Sequence, residues 1–530
     1  MSVYPSGVET ATQHVSLENG DFIALAGTVI FQNRLNEKAL SAIYDSFNGD
    51  PAVLDSAHGH FALAIYKYGV LSVFTDRIGA FKLFYAPSAR TLSTSFLTLA
   101  TALPHTDLDL QAVHEYVLSG ATLGDATLLK QVTTLPSRAM AIMSDGQPIR
   151  INTFPLRLPV RSDRPRAELL VATEKHLDRF FDSVTQVFGD RILCALTGGY
   201  DTRLILAHLL RRGLKPRLLI YDEYNEDVRI SKRIAAEEGM NLEVIDPDVL
   251  GPIPLDQFTE LVHENYLNQD GYHFEGLFNA GLERTERRAR VVNSTAYLHG
   301  GGGEIFRNFF KLPDRPLRTR EVVQAMYAKY DPRVCASTFD RRGYEDAITA
   351  KIDGLLGTHL EMLDRQVVEW LYPNFRCRAW FGRDTSLNNA AGASLMPFYE
   401  LEVTEFAATI PVDEKRWGTF EAELILRANP RIAAYPSQYG HDFASAVPLR
   451  RRLIENLQCA TPPSLRPLLY ALRERRHNVP SPYLSASYRR AVFGNEIHPV
   501  LCLFNFDHPA DPLVRSRILT VAYLARSLGI

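Results

Sequence analysis

A polar segment at residues 197–202, Thr-Gly-Gly-Tyr-Asp-Thr, has the residue types and spacing of a phosphate-binding turn. The apolar run at 192–196 predicts a buried strand before it, and the pattern of 204–212, closed by Gly213, predicts a helix after it. A strand that leads through glycines into a helix N-terminus presents backbone N–H groups to an oxyanion. The spacing fits neither the Walker loop nor the three-glycine dinucleotide fingerprint, and an ordinary tight turn is the alternative.

This segment resembles the pyrophosphatase loop (PP-loop) of ATP-dependent adenylating enzymes, whose core reads Ser-Gly-Gly-x-Asp-Ser. Threonine replaces both serines here, as Thr197 and Thr202, so both hydroxyl groups are retained. The resemblance implies that the loop binds the pyrophosphate part of ATP. It also implies that Asp201 helps to hold magnesium.

A second glycine-rich segment at 298–306 resembles the Ser-Gly-x-Gly-x-Asp-Glu loop of the asparagine-synthetase-like superfamily. Aligned without gaps, Glu304 falls on the acid that joins the PP-loop aspartate in binding magnesium. Two carboxylates that face phosphates suit Mg²⁺, and glycines let backbone approach a nucleotide closely. A flexible loop is the alternative interpretation.

The resemblance implies a set of site residues. Asp201 and Glu304 would be the metal ligands. The residues expected at ATP are Leu196, Thr197, Gly198, Gly199, Asp201, Thr202, Tyr221, Gly300 and Gly301.

Three arginines, Arg376, Arg378 and Arg383, precede Asp384 and the Pro-Phe-Tyr-Glu of 397–400, which keep the spacing of the family's Asp-Arg and Pro-Phe-Leu-Asp. Guanidinium forks suit phosphate oxygens, so these arginines are candidates to replace a lost catalytic lysine as pyrophosphate clamps. We place Arg378 and Arg383 with Asp201 and Glu304 as the catalytic set. Ion pairing on a helix surface is the alternative for the arginines.

The first part of the chain is rich in β-branched and aromatic runs between turn signals, which indicates a layered antiparallel sheet. Residues 59–66 and 76–85 resemble the Gly-x-Phe-Ala strand and the Asp-Arg-x-Gly hairpin of a class II glutamine amidotransferase domain. The resemblance implies an Ntn-like domain over 1–155. Ser2 stands where that family has its cysteine nucleophile, and Ala-Gly-Thr at 26–28 replaces its Asn-Gly-Glu, so we expect no glutaminase activity.

The rest of the chain alternates apolar strands with amphipathic helices, which indicates right-handed βαβ units and a parallel sheet. The proline- and arginine-rich residues 156–170 are interpreted as a linker. Residues 171–530 are then expected to form a doubly wound PP-loop domain of the adenine nucleotide alpha hydrolase type, with a helical C-terminal extension. Asp227 resembles the acid that follows the family's second strand.

Composition and charge limit the classes of binding partner that we expect for the chain. The 530 residues carry a formal charge of −3, which gives no reason to expect nucleic acid or a membrane as partner. The five cysteines form no Cys-x-x-Cys pair, no apolar run approaches the roughly 20 residues of a membrane span, and no signal-peptide pattern is visible. We therefore expect a cytoplasmic protein, for which a homodimer is possible.

The departures from the family indicate the type of reaction. Gly301, Ala393 and Leu395 replace substrate-side residues of asparagine synthetases, and residues 437–440 replace the segment that carries their lysine. The resemblance thus implies an AMP- and pyrophosphate-forming ligase that uses ATP and Mg²⁺ to join a carboxylate substrate to an amine substrate, a small molecule or a peptide. Lasso-peptide cyclases are its closest functional analogue. The alternatives are an intermolecular amidating or condensing enzyme of natural-product or surface-sugar synthesis, and a nucleotide-binding pseudoenzyme.

Overall fold

The computed structural model describes residues 12–144, 146–221, 225–246, 251–290, 295–474, 481–495, 498–506, 508 and 511–530. Ser2 therefore lies outside the described residues. The strands are β1 Thr12–Ser16, β2 Phe22–Gly27, β3 Phe61–Lys67, β4 Val70–Thr75, β5 Phe84–Ala86, β6 Thr91–Ser93, β7 Thr133–Thr134, β8 Ala139–Met143, β9 Arg150–Thr153, β10 Ile192–Ala195, β11 Arg217–Tyr221, β12 Leu242–Ile245, β13 Ala296–Leu298 and β14 Ser394–Leu395.

The helices of the first two thirds of the chain are α1 Asn36–Ser46, α2 Phe96–Ala102, α3 Leu110–Ser119, α4 Arg166–Phe188, α5 Tyr200–Arg211, α6 Asn225–Glu238, α7 Leu255–Asn268, α8 Leu282–Arg290, α9 Thr319–Met326 and α10 Arg341–Leu356. The later helices are α11 Arg365–Leu371, α12 Arg378–Trp380, α13 Gly382–Ala391, α14 Leu401–Thr409, α15 Val412–Lys415, α16 Thr419–Ala428, α17 Pro430–Ala433, α18 Leu449–Ala460, α19 Arg466–Glu474, α20 Ala486–Phe493 and α21 Pro512–Leu528. A π-helical turn, Tyr372–Cys377, joins α11 to α12, and a 3₁₀ turn, Gly303–Phe306, follows β13.

An antiparallel sheet of six strands, in the order β1-β2-β3-β4-β8-β9, occupies the N-terminal part of the chain. Alternation along β3 explains its layers, because side chains of a strand point to opposite faces in turn. Leu63 and Ile65 pack into a core with Ile43 of α1, whereas Ala64 lies against a second core that includes Val73. A small sheet, β6-β5-β7, lies apart from it. The predicted antiparallel sheet is confirmed.

The predicted hairpin at 76–85 begins with a buried aspartate. The two carboxylate oxygens of Asp76 accept the backbone N–H groups of Ala80 and Phe81 at 2.9 and 2.8 Å. A side chain that satisfies the backbone of a tight turn in this way fixes the turn after β4. The Asp-Arg-x-Gly residues therefore have a structural role here.

A five-stranded parallel sheet follows in the order β12-β11-β10-β13-β14, with α5 and α6 connecting its first three strands. The predicted parallel sheet is confirmed. Its first strand, β10, lies in the centre, and Leu193 packs with Leu219 and Tyr297 on one face of the sheet. The chain order reverses between β10 and β13, and α/β sheets bind ligands beyond the carboxyl ends of the strands at such a point.

The two parts of the chain share one core. The largest hydrophobic cluster includes Phe84 and Val113 from the first part together with Leu196 and Leu204 from the second. Glu400, which ends the Pro-Phe-Tyr-Glu motif, accepts the Gly59 N–H at 3.0 Å. The N-terminal part is thus packed directly on the parallel-sheet part.

The predicted linker is shorter than expected, since α4 begins at Arg166 after Pro165. Leu169 and Leu170 are buried. Their burial on the inner face of α4 explains why the helix includes the last residues of 156–170. From α14 onward the described residues contain helices and no further strand, as predicted for a helical extension. No helix among the described residues has the length and apolarity that crossing a membrane requires.

Candidate functional site

The two glycine-containing segments predicted to form one site meet beyond the ends of β10 and β13. A Cβ atom added to Gly300 would lie 2.7 Å from the Cβ of Asp201 and 3.2 Å from the backbone nitrogen of Thr202. A Cβ at Gly303 would overlap the carboxylate of Asp201. The second loop can therefore approach Asp201 so closely because these positions have no side chain.

Hydroxyl groups close the first loop. The Thr202 hydroxyl accepts the Thr197 N–H at 2.9 Å, and the two threonine hydroxyls lie 3.1 Å apart. The Thr197 hydroxyl in turn accepts the Gly199 N–H at 3.2 Å. Helix α5 begins after Gly199, which has no side chain to cap the N–H groups of its first turn. Retained hydroxyls at both ends thus give the turn its shape.

Asp227, at the start of α6, contacts the first loop directly. Its Oδ1 accepts the Gly198 N–H at 2.7 Å. Burial raises the pKa of Asp227 from its ordinary value. One of the backbone donors predicted to bind pyrophosphate is consequently bonded to a carboxylate of the chain itself.

One arginine lies among three carboxylates. Arg307 Nη2 donates to both oxygens of Asp201 at 2.8 and 2.9 Å and lies 3.8 Å from Oε1 of Glu304. Its Nε is 3.0 Å from Oε2 of Glu421. On the far side, the Tyr372 hydroxyl donates to Oε2 of Glu304 at 2.6 Å. We call Asp201, Glu304 and Glu421 the acid cluster.

The acid cluster contains three carboxyl groups and one arginine. Glu421 is fully buried, and neither of its oxygens accepts a hydrogen bond from the described residues. Burial, reinforced by the charge of Asp201, raises the pKa of Glu421 well above its usual value. Burial opposes the charge of Arg307, but the three carboxylates outweigh it and raise its pKa. Arg307 is therefore the one permanent cation within 4 Å of all three carboxyl groups among the described residues.

Residues 437–440, predicted to stand in place of a lysine motif, cover the first loop. Gln438 donates its backbone N–H to the carbonyl of Gly198 at 3.3 Å. The ring of Tyr439 lies 5.0 Å from that of Tyr200, and the guanidinium of Arg451 lies 4.1 Å from the Tyr439 ring. The segment thus brings an amide and a phenol to the first loop, and Arg451 is the cation that packs on the phenol ring.

The arginines predicted as clamps have other partners. Arg378 donates to Asp125 Oδ1 at 2.6 Å and to the carbonyl of Leu135 at 2.7 Å, so it binds the N-terminal part of the chain. Arg383 donates to the carbonyl of Asp270 at 2.6 Å. The guanidinium N–H groups of both arginines are hydrogen-bonded to other segments of the chain. This geometry gives no support to a pyrophosphate role for Arg378 or Arg383.

Three remaining predicted residues lie at the same edge of the sheet. Leu196 is fully buried, and its backbone N–H donates to Leu219 at 2.9 Å. The hydroxyl of Tyr221, at the end of β11, accepts from Arg290. Gly301 faces Met396, whose sulfur would lie 2.7 Å from an added Cβ. The hydroxyl of Tyr221 is thus already bonded.

His299 directly precedes the glycines of the second loop, a position from which a histidine could accept a proton from an amine. Its ring stacks on Tyr297 at 5.4 Å between centroids, and burial lowers its pKa to about 3. A histidine with so low a pKa is neutral and weakly basic at physiological pH. Its packing favours a structural role.

Sequence reasoning missed Arg307, Glu421 and Tyr372. Arg307 follows Glu304 by one helical turn, which is the one signal that was available. Glu421 lies in α16 and Tyr372 begins the π-helical turn, and neither has a motif of its own. π-helical turns are often found at functional sites.

Substitution of Gly303 tests the close approach of the two loops. Gly303→Ala is expected to lower the free energy of unfolding by about 1–3 kcal/mol, because the new methyl group would displace the Asp201 carboxylate. The matched control is Gly354→Ala in α10, where no atom lies within 4 Å of the added Cβ. That change should stabilise by about 0.4–1 kcal/mol. Urea unfolding measures both, and equal behaviour of the two variants would contradict the described contact.

Comparison with known proteins gives no family assignment. No protein-family model matches the chain, and no curated protein sequence does.

Proposed function

We propose that the chain is an ATP-dependent ligase that forms AMP and pyrophosphate, adenylates a carboxylate and joins it to a substrate amine. The observation that carries the proposal is the direct packing of Gly300 and Gly303 on Asp201, with Glu304 beside them. This arrangement lies at the reversal of strand order, where α/β sheets bind ligands. It combines an uncapped helix N-terminus with hard carboxylate oxygens, which is the chemistry that a metal–nucleotide complex needs.

The carboxylate oxygens of the acid cluster are suitable ligands for a magnesium ion. The acid cluster has three carboxylates and one arginine, and the buried Glu421 oxygens have no hydrogen-bond donor. A divalent cation would offset the negative charge that Arg307 leaves uncompensated. Asp201 and Glu304 would hold the ion, with Glu421 behind Arg307. When bound, the ion would neutralise phosphate charge and stabilise the pyrophosphate that leaves.

ATP would lie across the first loop. The N–H groups of the first turn of α5 would face its phosphates, and the threonine hydroxyls would keep the loop closed. Arg307 and Arg451 are cations near the first loop, and in this proposal they replace Arg378 and Arg383 as the groups that contact pyrophosphate. The main contribution to catalysis would be electrostatic stabilisation and the positioning of carboxylate and amine.

The amine would come from the substrate. Ala26, Gly27 and Thr28 replace the glutamine-binding motif, and an added Cβ at Gly27 would overlap the carbonyl of His60. We propose that the N-terminal part is structural, because Arg378 and Glu400 bind it to the rest of the chain.

A second candidate is a nucleotide-binding protein without catalysis. Its support is the occupation of the loop by the chain's own groups, since Gly198 donates to Asp227 and Asp201 is bonded to Arg307. The two candidates agree on ATP binding and differ on pyrophosphate release.

An exchange assay separates the candidates. Purified protein is incubated with ATP, Mg²⁺, labelled pyrophosphate and mixtures of carboxylates, and incorporation of label into ATP is measured. The ligase proposal expects exchange that depends on one class of carboxylate, with AMP formed when an amine is added. ATP binding without exchange for every mixture would favour the second candidate, and transfer of amide nitrogen from labelled glutamine would contradict the proposed role of the N-terminal part.

A further inference from the structure

Four half-buried cations from separate segments of the chain act electrostatically on one another. Lys311 follows the 3₁₀ turn, Lys329 follows α9, Arg376 lies in the π-helical turn, and Arg466 begins α19. We call these four residues the cation cluster. Within the described part of the chain, the structure shows no ion pair for any of them.

Packing and hydrogen bonds hold two of the four cations in place. Arg466 donates to the carbonyls of Phe310 and Lys311 at 2.8 and 2.5 Å. The guanidinium of Arg376 lies 5.7 Å from the ring of Phe309 and 5.3 Å from that of Trp380. The cluster is therefore built into the fold.

The positive charges act on one another. Burial and the charges of Arg466, Arg376 and Lys311 lower the pKa of Lys329 to about 8. Burial also lowers the pKa of Lys311, although Glu455 acts on it in the opposite direction. The Oε1 atom of Glu455 is used to accept a backbone N–H at 2.8 Å. Gathering these cations without a counterion costs free energy.

Two other lysines with low exposure have carboxylate partners, whereas the buried Lys82 donates to the backbone carbonyl of Gly79. Lys415 donates to Glu369 at 2.7 Å, and Lys351 donates to Glu115 at 2.7 Å. Unlike Lys415 and Lys351, the members of the cation cluster have no carboxylate within ion-pair distance among the described residues.

The cation cluster lies one aromatic layer from the acid cluster. Phe309, on which Arg376 packs, lies 4.4 Å from Tyr372 between ring centroids. The Tyr372 hydroxyl donates to Glu304. An anion held by the cations would therefore be a neighbour of the carboxylates that we assign to magnesium.

We propose that Lys311, Lys329, Arg376 and Arg466 form a binding site for a multiply charged oxyanion, a polycarboxylate or a phosphorylated group. Lysine binds such groups as a point charge and arginine as a planar fork, so the set suits either chemistry. That this anion belongs to the second substrate of the ligase rests on the proposed function. The existence of the anion site does not.

Titration calorimetry without ATP and magnesium, in the presence of EDTA, tests the site with two probes. Inorganic pyrophosphate represents the phosphorylated class and citrate the polycarboxylate class. Binding of at least one probe is expected, and Lys329→Met and Arg376→Met should each weaken it by about tenfold or more, since each removes a charged hydrogen-bond donor. Lys232→Met, an exposed lysine on α6, is the matched control and should change nothing. The probe that binds more tightly assigns the class.

A pH series gives a second readout. Lys329 loses its charge as the pH rises through about 8, whereas its neighbours Arg376 and Arg466 stay charged. Affinity should therefore fall from pH 7 to pH 9 in the wild type. Lys329→Arg keeps its charge, so its affinity should change less over the same range.

Several results would overturn the anion site. One is the absence of binding heat with both pyrophosphate and citrate. Another is that the wild type and Lys329→Met bind the probe with equal affinity, and a third is that the affinities of the wild type and Lys329→Arg depend equally on pH. Asp201→Asn should retain the binding in EDTA while losing pyrophosphate exchange. If the wild type binds the anion but shows no pyrophosphate exchange, the ligase proposal is wrong and the anion site stands.

Discussion

Replacing Asp201 by asparagine is expected to lower ATP-dependent pyrophosphate release by about 10²- to 10³-fold, the size typical of losing a preorganised electrostatic contact. The asparagine has nearly the same shape, but it lacks the charge that would attract magnesium. Asp201 also contacts both loops, through α5 and through Gly300 and Gly303, and no other described carboxylate lies in that position. Release of labelled pyrophosphate under saturating ATP measures the effect.

The fold should survive this substitution, because an amide oxygen still accepts from Arg307. Thermal unfolding of Asp201→Asn should therefore stay close to that of the wild type. Asp256→Asn, at an exposed position in α7, is the matched control and should retain full release. A wild-type rate in Asp201→Asn would remove Asp201 from the mechanism.

Replacing Arg307 by methionine is expected to lower the free energy of unfolding by about 3–5 kcal/mol, the usual cost of breaking a buried ion pair from one side. The change leaves Asp201, Glu304 and the fully buried Glu421 without a cation. Urea unfolding measures the loss. Magnesium should stabilise this variant more than the wild type, because an ion that binds the folded state adds to its stability.

Low pH should recover part of the lost stability. The pKa of Glu421 is raised in the folded state, so the folded protein binds its proton more tightly than the unfolded chain does. This contribution is fully present below the ordinary glutamate pKa and is lost as the pH rises through the folded-state value. Without Arg307 the loss should be larger, and unfolding measured at pH 5 and pH 8 should show it.

Two further variants control the Arg307 experiment. Arg342→Met removes an exposed arginine that lies 3.8 Å from Asp346, and it should change stability by less than about 1 kcal/mol. Glu421→Gln combined with Arg307→Met should recover part of the stability, because it removes one buried negative charge. Wild-type stability of Arg307→Met would show that the acid cluster does not need this countercharge.

The strand–turn–helix unit around Thr197 was predictable because its signals are local. The apolar run of β10, the glycines after it and Gly213, which has a φ of +75°, define their elements without help from distant residues. The second loop was predictable for the same reason, as its glycines and Glu304 are contiguous. Both the antiparallel and the parallel sheet follow from such local patterns.

The partners of single charged side chains were not predictable. Arg378 lies near the motif of Asp384 in sequence, but its guanidinium binds Asp125 and Leu135 in the N-terminal part. Spacing along a helix says which face a residue occupies, and it does not say which distant segment packs against that face. For the same reason, the sequence did not predict the position of Glu421 or the cation cluster, whose members are far apart along the chain.

By itself, the sequence determined the order of the sheets and the two glycine-containing turns that end β10 and β13, because periodicity and turn chemistry act over a few residues. Only the tertiary structure decided that Arg307 and Glu421 join Asp201, that Arg378 and Arg383 bind elsewhere, and that four cations have no ion pair within the described residues. The physical reason is that charge balance in a buried site is summed over all segments packed there, and chain folding alone brings those segments together.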